Sequence, residues 1–253
     1  MIRFDRVRKE LAGKTVLDGV SFEVRRGETF VIAGPSGAGK SVTLKHMVRL
    51  MTPDDGQVFV GSEKISNATG EELERIRAKF GYLFQGGALL GWLTVRENVA
   101  LPLRERTDLE DRAIAERTDR MLRLVGLEED GDKRPAEISG GMKKRAGLAR
   151  AIVRDPEIVL YDEPTSGLDP VTARRIDALI SRMGRELGVT SVVVTHDLQS
   201  ALSIGTRIAL LQDGGIVEVA DPQGFIRSPR REVQDFLASQ FITKKGAWER
   251  NGQ

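Results

Sequence analysis

The sequence contains no cysteine, which excludes disulfides, thiolate zinc sites and cysteine nucleophiles. Charge of one sign is also scarce: 39 Lys+Arg against 37 Asp+Glu leave a net +2, too small a surplus for a polybasic nucleic-acid binder. No stretch approaches the roughly 18 consecutive apolar residues of a membrane span. The first residues, Met1 to Arg8, lack the apolar core of a signal peptide. The expectation is a chain that is neither exported nor membrane-spanning. If it serves a membrane process, it does so from the cytoplasmic side as a partner of something else. Internal repeats and low-complexity tracts are absent. What remains is 253 residues, 40% hydrophobic and 30% charged, enough for a packed core in one domain or two small ones.

Apolar runs alternate with amphipathic ones, the pattern of an α/β protein. Thr29–Ala33, Ile158–Asp162 and Ser191–Thr195 are short, largely β-branched or apolar, and followed by polar loops. They read as parallel strands covered on both faces. Val16–Val24 reads as strand with a turn around Asp18 and Gly19, and Gln57–Ile65 as a short strand after the turn at Pro53–Gly56. Residues 69–151 are charge-rich with helical spacing and read as a helical insertion between strands. The mixed-sign run over 104–120 is a solvated helix face, and Leu122, Val125 and Leu127 are apolar positions behind it. The polar end from Thr243 onward reads as a frayed tail.

Gly34, Pro35, Ser36, Gly37, Ala38, Gly39, Lys40 and Ser41 fit G-x-x-x-x-G-K-[ST] in full. The loop follows a strand and precedes an amphipathic helix carrying Leu44, Met47, Val48 and Met51. Glycines at this spacing let backbone N–H groups surround a polyphosphate, and the helix N-terminus adds partial positive charge. Lys40 supplies a full charge to the β- and γ-phosphates, and Ser41 a hydroxyl ligand for Mg²⁺. A plain strand-to-helix turn would not need all eight residues in register.

Ile158–Asp162 ends in two carboxylates, Asp162 and Glu163. The first suits the Mg²⁺ shell, and the second suits a general base for water. The plainer alternative is a pair of acids capping the next segment. Of the two histidines, His46 on the first helix reads as structural. His196 follows Val192–Thr195 at the C-terminal edge of the sheet, where ligands bind in open α/β folds.

Together these motifs resemble the nucleotide-binding subunit of ABC transporters, over about residues 2–240. Ile138–Met142 resembles the signature loop, with Ser139, Gly140 and Gly141 as its anion-facing residues. Gln85 resembles the Q-loop glutamine, Ser166–Asp169 the D-loop, and His196 the switch histidine. The resemblance implies an α/β P-loop NTPase fold: a RecA-like parallel-sheet core, an antiparallel β subdomain and a helical subdomain at about 69–151, followed by a polar tail over 241–253. It further implies ATP and Mg²⁺ as ligands, with phosphate contacts running through Val42. Metal contacts would come from Ser41, Gln85 and Asp162, and catalytic roles would fall to Lys40, Gln85, Glu163 and His196. Two copies would stack head to tail with ATP between one copy's phosphate loop and the other's Ser139–Gly141, and Asp169 would link the sites. A helix N-terminus at Ser139 suits the anion and is equally an N-cap.

Two departures stand out. The family's adenine-stacking aromatic falls near Leu11, where no Tyr, Phe or Trp is close, and the usual signature glutamine is Met142. Phe84–Thr107 and Ser139–Arg150 resemble Mla/Mce-type lipid-transport ATPases. That resemblance implies a membrane permease partner, an Mce-type lipid-binding protein, and a place on the cytoplasmic face of the inner membrane. Leu89, Leu90, Trp92 and Leu93 form an apolar patch suited either to the permease or to packing inside the helical subdomain. An importer subunit for amino acids or metal ions keeps every motif and remains the alternative. ABC proteins acting on DNA carry long coiled coils between Lys40 and Ser139. No sustained heptads occur there, so nucleic acid is not expected as a partner.

Overall fold

The computed structural model describes residues 1–240. In chain order the elements are β1 (Ile2–Leu11), β2 (Lys14–Val24), β3 (Thr29–Ala33), α1 (Lys40–Met47), β4 (Asp55–Val60), β5 (Glu63–Lys64), α2 (Gly70–Arg77), β6 (Phe80–Leu83), α3 (Val95–Arg106) and α4 (Asp111–Leu124). They continue with α5 (Gly140–Ile152), β7 (Ile158–Asp162), α6 (Pro170–Leu187), β8 (Thr190–Thr195), α7 (Leu198–Ile204), β9 (Arg207–Gln212), β10 (Gly215–Ala220), α8 (Pro222–Ile226) and α9 (Arg231–Gln240).

Strands β3, β7 and β8 are buried at every position, and their apolar runs Phe30–Ala33, Ile158–Tyr161 and Val192–Val194 suit burial on both faces. They occupy the middle of a six-stranded sheet ordered β10-β9-β3-β8-β7-β6. The sheet is parallel from β9 to β6, and β10 adds antiparallel at its edge. Alternate residues of the central strands serve two cores. Phe30, Ile32, Leu160, Val192 and Val194 pack toward α1 and a four-stranded antiparallel sheet, β2-β1-β4-β5. Val31, Val159, Tyr161 and Val193 pack toward α5, α6 and the helical layer that holds Leu122, Val125 and Leu127. The two-residue period of a strand makes this division automatic.

Several expectations change. α1 ends at Met47, so Val48 is its C-cap and Met51 lies beyond it, and the strand expected over Gln57–Ile65 is divided into β4 and β5 by a turn at Gly61–Ser62. No turn occurs at Asp18–Gly19. β2 runs through it, with Gly19 at φ +67° and a register shift against β1 between Val7↔Val20 and Lys9↔Leu17. A bulge absorbs the irregular residue, and the Asp18 amide donates to the Gly214 carbonyl at 2.8 Å instead of closing a hairpin. The 69–151 stretch is not wholly helical, because β6 lies inside it and pairs parallel with β7. Gly81 of β6 is pressed against α5, where a Cβ would stand 2.1 Å from the Ala151 carbonyl oxygen. The tail expected over 241–253 lies outside the described residues. Among the described residues no helix is long and apolar enough to cross a membrane.

Candidate nucleotide site

β3 delivers the chain to Gly34 at the C-terminal edge of the sheet. Gly34 has φ +156°, and a Cβ there would lie 2.2 Å from the Leu211 carbonyl oxygen, so any side chain would force the loop off β9. Gly39, at φ +100°, occupies the N-cap of α1 and offers no capping side chain. The first-turn amides therefore point into the loop without a side-chain acceptor, the arrangement that favours an anion. Lys40 is buried, and its ammonium donates to the carbonyls of Gly34 and Pro35 at 2.9 Å each, arching over the loop. Ser41 Oγ donates to Asp162 Oδ1 at 2.7 Å, across 121 residues of sequence. Pro35 and Ala38 face an adjoining cleft with Asp213 and Gly214.

Asp162 and Glu163 leave the end of β7 buried, at 6% and 7% exposure. Glu163 has φ +48°, a left-handed conformation that a non-glycine residue holds only when its surroundings fix it. Its two carboxylate oxygens divide their partners. Oε1 lies 3.5 Å from the Lys40 ammonium, and Oε2 lies 2.8 Å from His196 Nδ1. An ionised carboxylate only accepts, so Nδ1 carries the hydrogen of that bond and, in the neutral ring, Nε2 is the free acceptor. The His196 side chain is about half exposed, at 48%, so its other face is open to a ligand.

Gln85 is exposed and shares one cavity of about 410 Å³ with Lys40, Ser41, Val42 and Glu163. Leu11, Val16, Ser36, Gly37 and Gly39 complete its wall, so the position next to the phosphate loop is aliphatic rather than aromatic. Ahead of Gln85, the rings of Tyr82 and Phe84 stack at 4.0 Å. Burial and the Asp162 carboxylate push the Tyr82 phenol above its ordinary value.

The other predicted residues are elsewhere. Ser139 caps α5, accepting from the Met142 amide at 3.3 Å, and lines a separate cavity of about 660 Å³ with Gly141. Ser139 and Gly140 are exposed, while Gly141 is buried against α6. Asp169 caps α6, accepting from the amides of Val171 and Thr172 at 3.0 Å each. Hydrogen bonds from Thr172, through both hydroxyl and amide, hold its carboxyl below the usual range. Lys40, Ser41, Gln85, Asp162, Glu163 and His196 are thus one cluster, and Ser139–Gly141 are not part of it.

Two groups escaped the sequence reading. Lys144 of α5 is 3% exposed and donates to the Glu163 carbonyl. Its signal was available: it faces inward with the buried residues Gly141, Gly147 and Leu148, three and four positions away. The second is a polar knot around Ser200, whose hydroxyl meets Asp177 Oδ2 at 3.0 Å, Asp197 Oδ2 at 2.9 Å and Arg174 at 3.1 Å. It ties α6 to the residue after His196. Burial pushes the Asp177 carboxyl up. Nothing in the local sequence of these scattered residues marks that knot.

A family profile described as ABC transporter matches residues 17–166. A protein named as a probable ribonucleotide transport ATP-binding protein, mkl, of Mycobacterium leprae is 38% identical over 241 residues, covering 95% of this chain and 70% of that protein. A methionine import ATP-binding protein, MetN, of Bordetella pertussis is 40% identical over 223 residues, covering 88% of this chain; the chain spans 61% of that relative. The solved dimer of an ATP-binding cassette in a post-hydrolysis state with ADP and Pi superposes with a TM-score of 0.81 at 34% identity, covering 88% of this chain and 99% of that one. The fold is that of the ABC cassettes, and the chain belongs to the ABC transporter family as an ATP-binding subunit with ATPase activity.

Proposed function

We propose that this chain powers the movement of phospholipid or related hydrophobic molecules across the cell envelope, acting through a membrane permease from the cytoplasmic face of the inner membrane. The observation that carries the motor part is the separation of the two anion devices. Lys40 and the α1 amides lie in one cavity with Glu163, while the exposed α5 N-terminus at Ser139 lines another. A helix start that attracts anions but does not face its own phosphate loop suits the triphosphate held by a second copy, head to tail. Met142 brings no donor side chain, so Ser139 and backbone amides make that contact.

Within one site, Lys40 takes the β- and γ-phosphates. Glu163 receives a proton from the attacking water, and the exposed side of the His196 ring faces the γ-phosphate. Phosphate oxygens compete for Lys40, whose ammonium lies 3.5 Å from Glu163 Oε1. Its transfer to phosphate frees that oxygen for water, while Oε2 stays with His196 Nδ1. Ser41 Oγ and Asp162 Oδ1, 2.7 Å apart, with Gln85 in the same cavity, would hold Mg²⁺, which would neutralise phosphate charge. Leu11 and Val16 offer adenine apolar contact without stacking. Binding drives motion because the closed pair holds ATP more tightly than the separated copies. Asp169, the N-cap of α6, is the residue we assign to linking the two sites.

The lipid assignment rests on the likeness of Phe84–Thr107 and Ser139–Arg150 to Mla/Mce-type ATPases. Trp92, 73% exposed, stands beside half-buried Leu90 and Leu93 as an apolar contact for the permease. Leu89 packs into the helical core instead. An Mce-type lipid-binding protein would complete such a system. A second reading, an amino-acid importer, is favoured by the likeness to the methionine import subunit. Purification of the chain with its native membrane partner, followed by mass spectrometry of bound small molecules, separates them. Phospholipid enrichment is expected. A permease retaining amino acids, ribonucleotides or metal ions would overturn the lipid reading.

A further inference from the structure

Lys144 is a charged residue on the inward face of α5, and its burial needs an explanation. Burying an ammonium is costly unless its donors are met. Here they converge on one place: Nζ donates to the Glu163 carbonyl at 2.8 Å and approaches Ser166 Oγ at 3.4 Å. The Ser166 hydroxyl donates to that same carbonyl at 3.0 Å, and its amide does so at 3.2 Å. Burial pulls the Lys144 ammonium below its ordinary pKa, and the carboxylates of Glu163 and Asp162 oppose this. The gripped carbonyl belongs to the residue at φ +48°. In that sparsely populated conformation the direction of the side chain depends on how the backbone is held. The helix that carries Lys144 also begins at the exposed Ser139. One side chain therefore joins the helix proposed above to meet a neighbour's nucleotide to the acid proposed to serve this chain's own.

We propose that Lys144 is a positioning residue for ATP hydrolysis: it anchors the Glu163 backbone so that the carboxylate stays aimed at water, and it carries displacement of α5 to that backbone. The proposal deepens the functional reading above and rests on Glu163 as the general base. A buried lysine serving only the fold would lower stability and nucleotide binding together when removed. A positioning lysine lowers kcat selectively.

The test uses the purified full chain with Lys144→Met, which keeps the length and removes the donors, and Lys144→Arg, which keeps donors. Steady-state ATP hydrolysis, ATP affinity and thermal melting are measured on each. Lys144→Met should lower kcat by about 10–100-fold with KM and ATP affinity within about twofold, and Lys144→Arg should recover a large part of kcat. Ser166→Ala, which removes the second side-chain donor without burying anything new, should lower kcat about 2–5-fold. It decides the matter if Lys144→Met fails to fold. The proposal is overturned by wild-type kcat in Lys144→Met, by parallel losses of kcat, affinity and melting temperature with no recovery in Lys144→Arg, or, where Lys144→Met is unfolded, by an unchanged kcat in Ser166→Ala. Glu163→Gln measured alongside separates the two claims. If it turns over like wild type, the base assignment fails; if it is inactive while Lys144→Met is not, only the role of Lys144 fails.

Discussion

Gly141 adopts ordinary helical backbone at the second position of α5, so space rather than conformational freedom explains it. A Cβ there would stand 2.6 Å from Thr172 Cγ2 on α6. That is about 1 Å inside the 3.5–4.0 Å of normal carbon contact. Thr172 has little room to withdraw, because its amide is fixed by the Asp169 cap. Overpacking of this kind costs about 1–3 kcal/mol, while replacing a helical glycine with alanine returns up to about 1 kcal/mol. Gly141→Ala should therefore destabilise the protein by about 1–2 kcal/mol. Thr172→Ser deletes the offending methyl, and in that background the alanine should become neutral or stabilising. Urea unfolding of the four proteins closes the cycle, with an expected coupling of about 1–3 kcal/mol. If the alanine costs the same in both backgrounds to within about 0.5 kcal/mol, the steric argument is wrong. ATP hydrolysis of the double variant adds a second reading. Recovery assigns Gly141 to the approach of the two helices, and persistent loss assigns it to anion access at the exposed amides.

Glu163→Gln keeps the shape and removes the carboxylate proposed as the base. ATP binding should persist while turnover falls about 10²–10⁴-fold, some 3–5 kcal/mol in barrier height. Size-exclusion chromatography with ATP should then show a lasting dimer, and a variant that turns over at the wild-type rate would refute the assignment. His46, expected from the sequence to be structural, is buried with Nδ1 2.7 Å from the Val42 carbonyl oxygen and Nε2 without a partner among the described residues. Burial pulls its pKa below 6.5, so the unfolded chain binds the proton first as pH falls. Its contribution to stability is complete above pH 6.5 and is lost as pH drops toward the folded value, by at most about 1.4 kcal/mol per pH unit. His46→Gln should flatten the melting temperature against pH between about 7 and 5, and an unchanged slope would refute this.

The phosphate loop was legible because its eight residues are contiguous, although part of the demand for Gly34 is tertiary, the Leu211 carbonyl of β9 leaving no room for a Cβ. The three central strands were legible because burial on both faces leaves an unbroken apolar run. β6 was not: Phe80, Gly81, Tyr82 and Leu83 are too few to display a period, and only β7 and α5 make them a strand. The bulge at Gly19 was misread as a turn because a lone Asp-Gly pair suits both, and the choice is made by β1 and by Gly214 across space.

By itself, then, the sequence presented the candidate chemistry, since Gly34–Ser41 fits a phosphate loop in full, Asp162–Glu163 ends one apolar strand and His196 follows another. Tertiary structure alone decided who meets whom. It set Ser41 against Asp162, set the Glu163 carboxylate between Lys40 and His196, placed Lys144 under the Glu163 carbonyl, and gave Ser139 to a different cavity. The physical reason is that periodicity records whether a residue faces inward, whereas the partner it finds there depends on the order in which strands and helices are stacked.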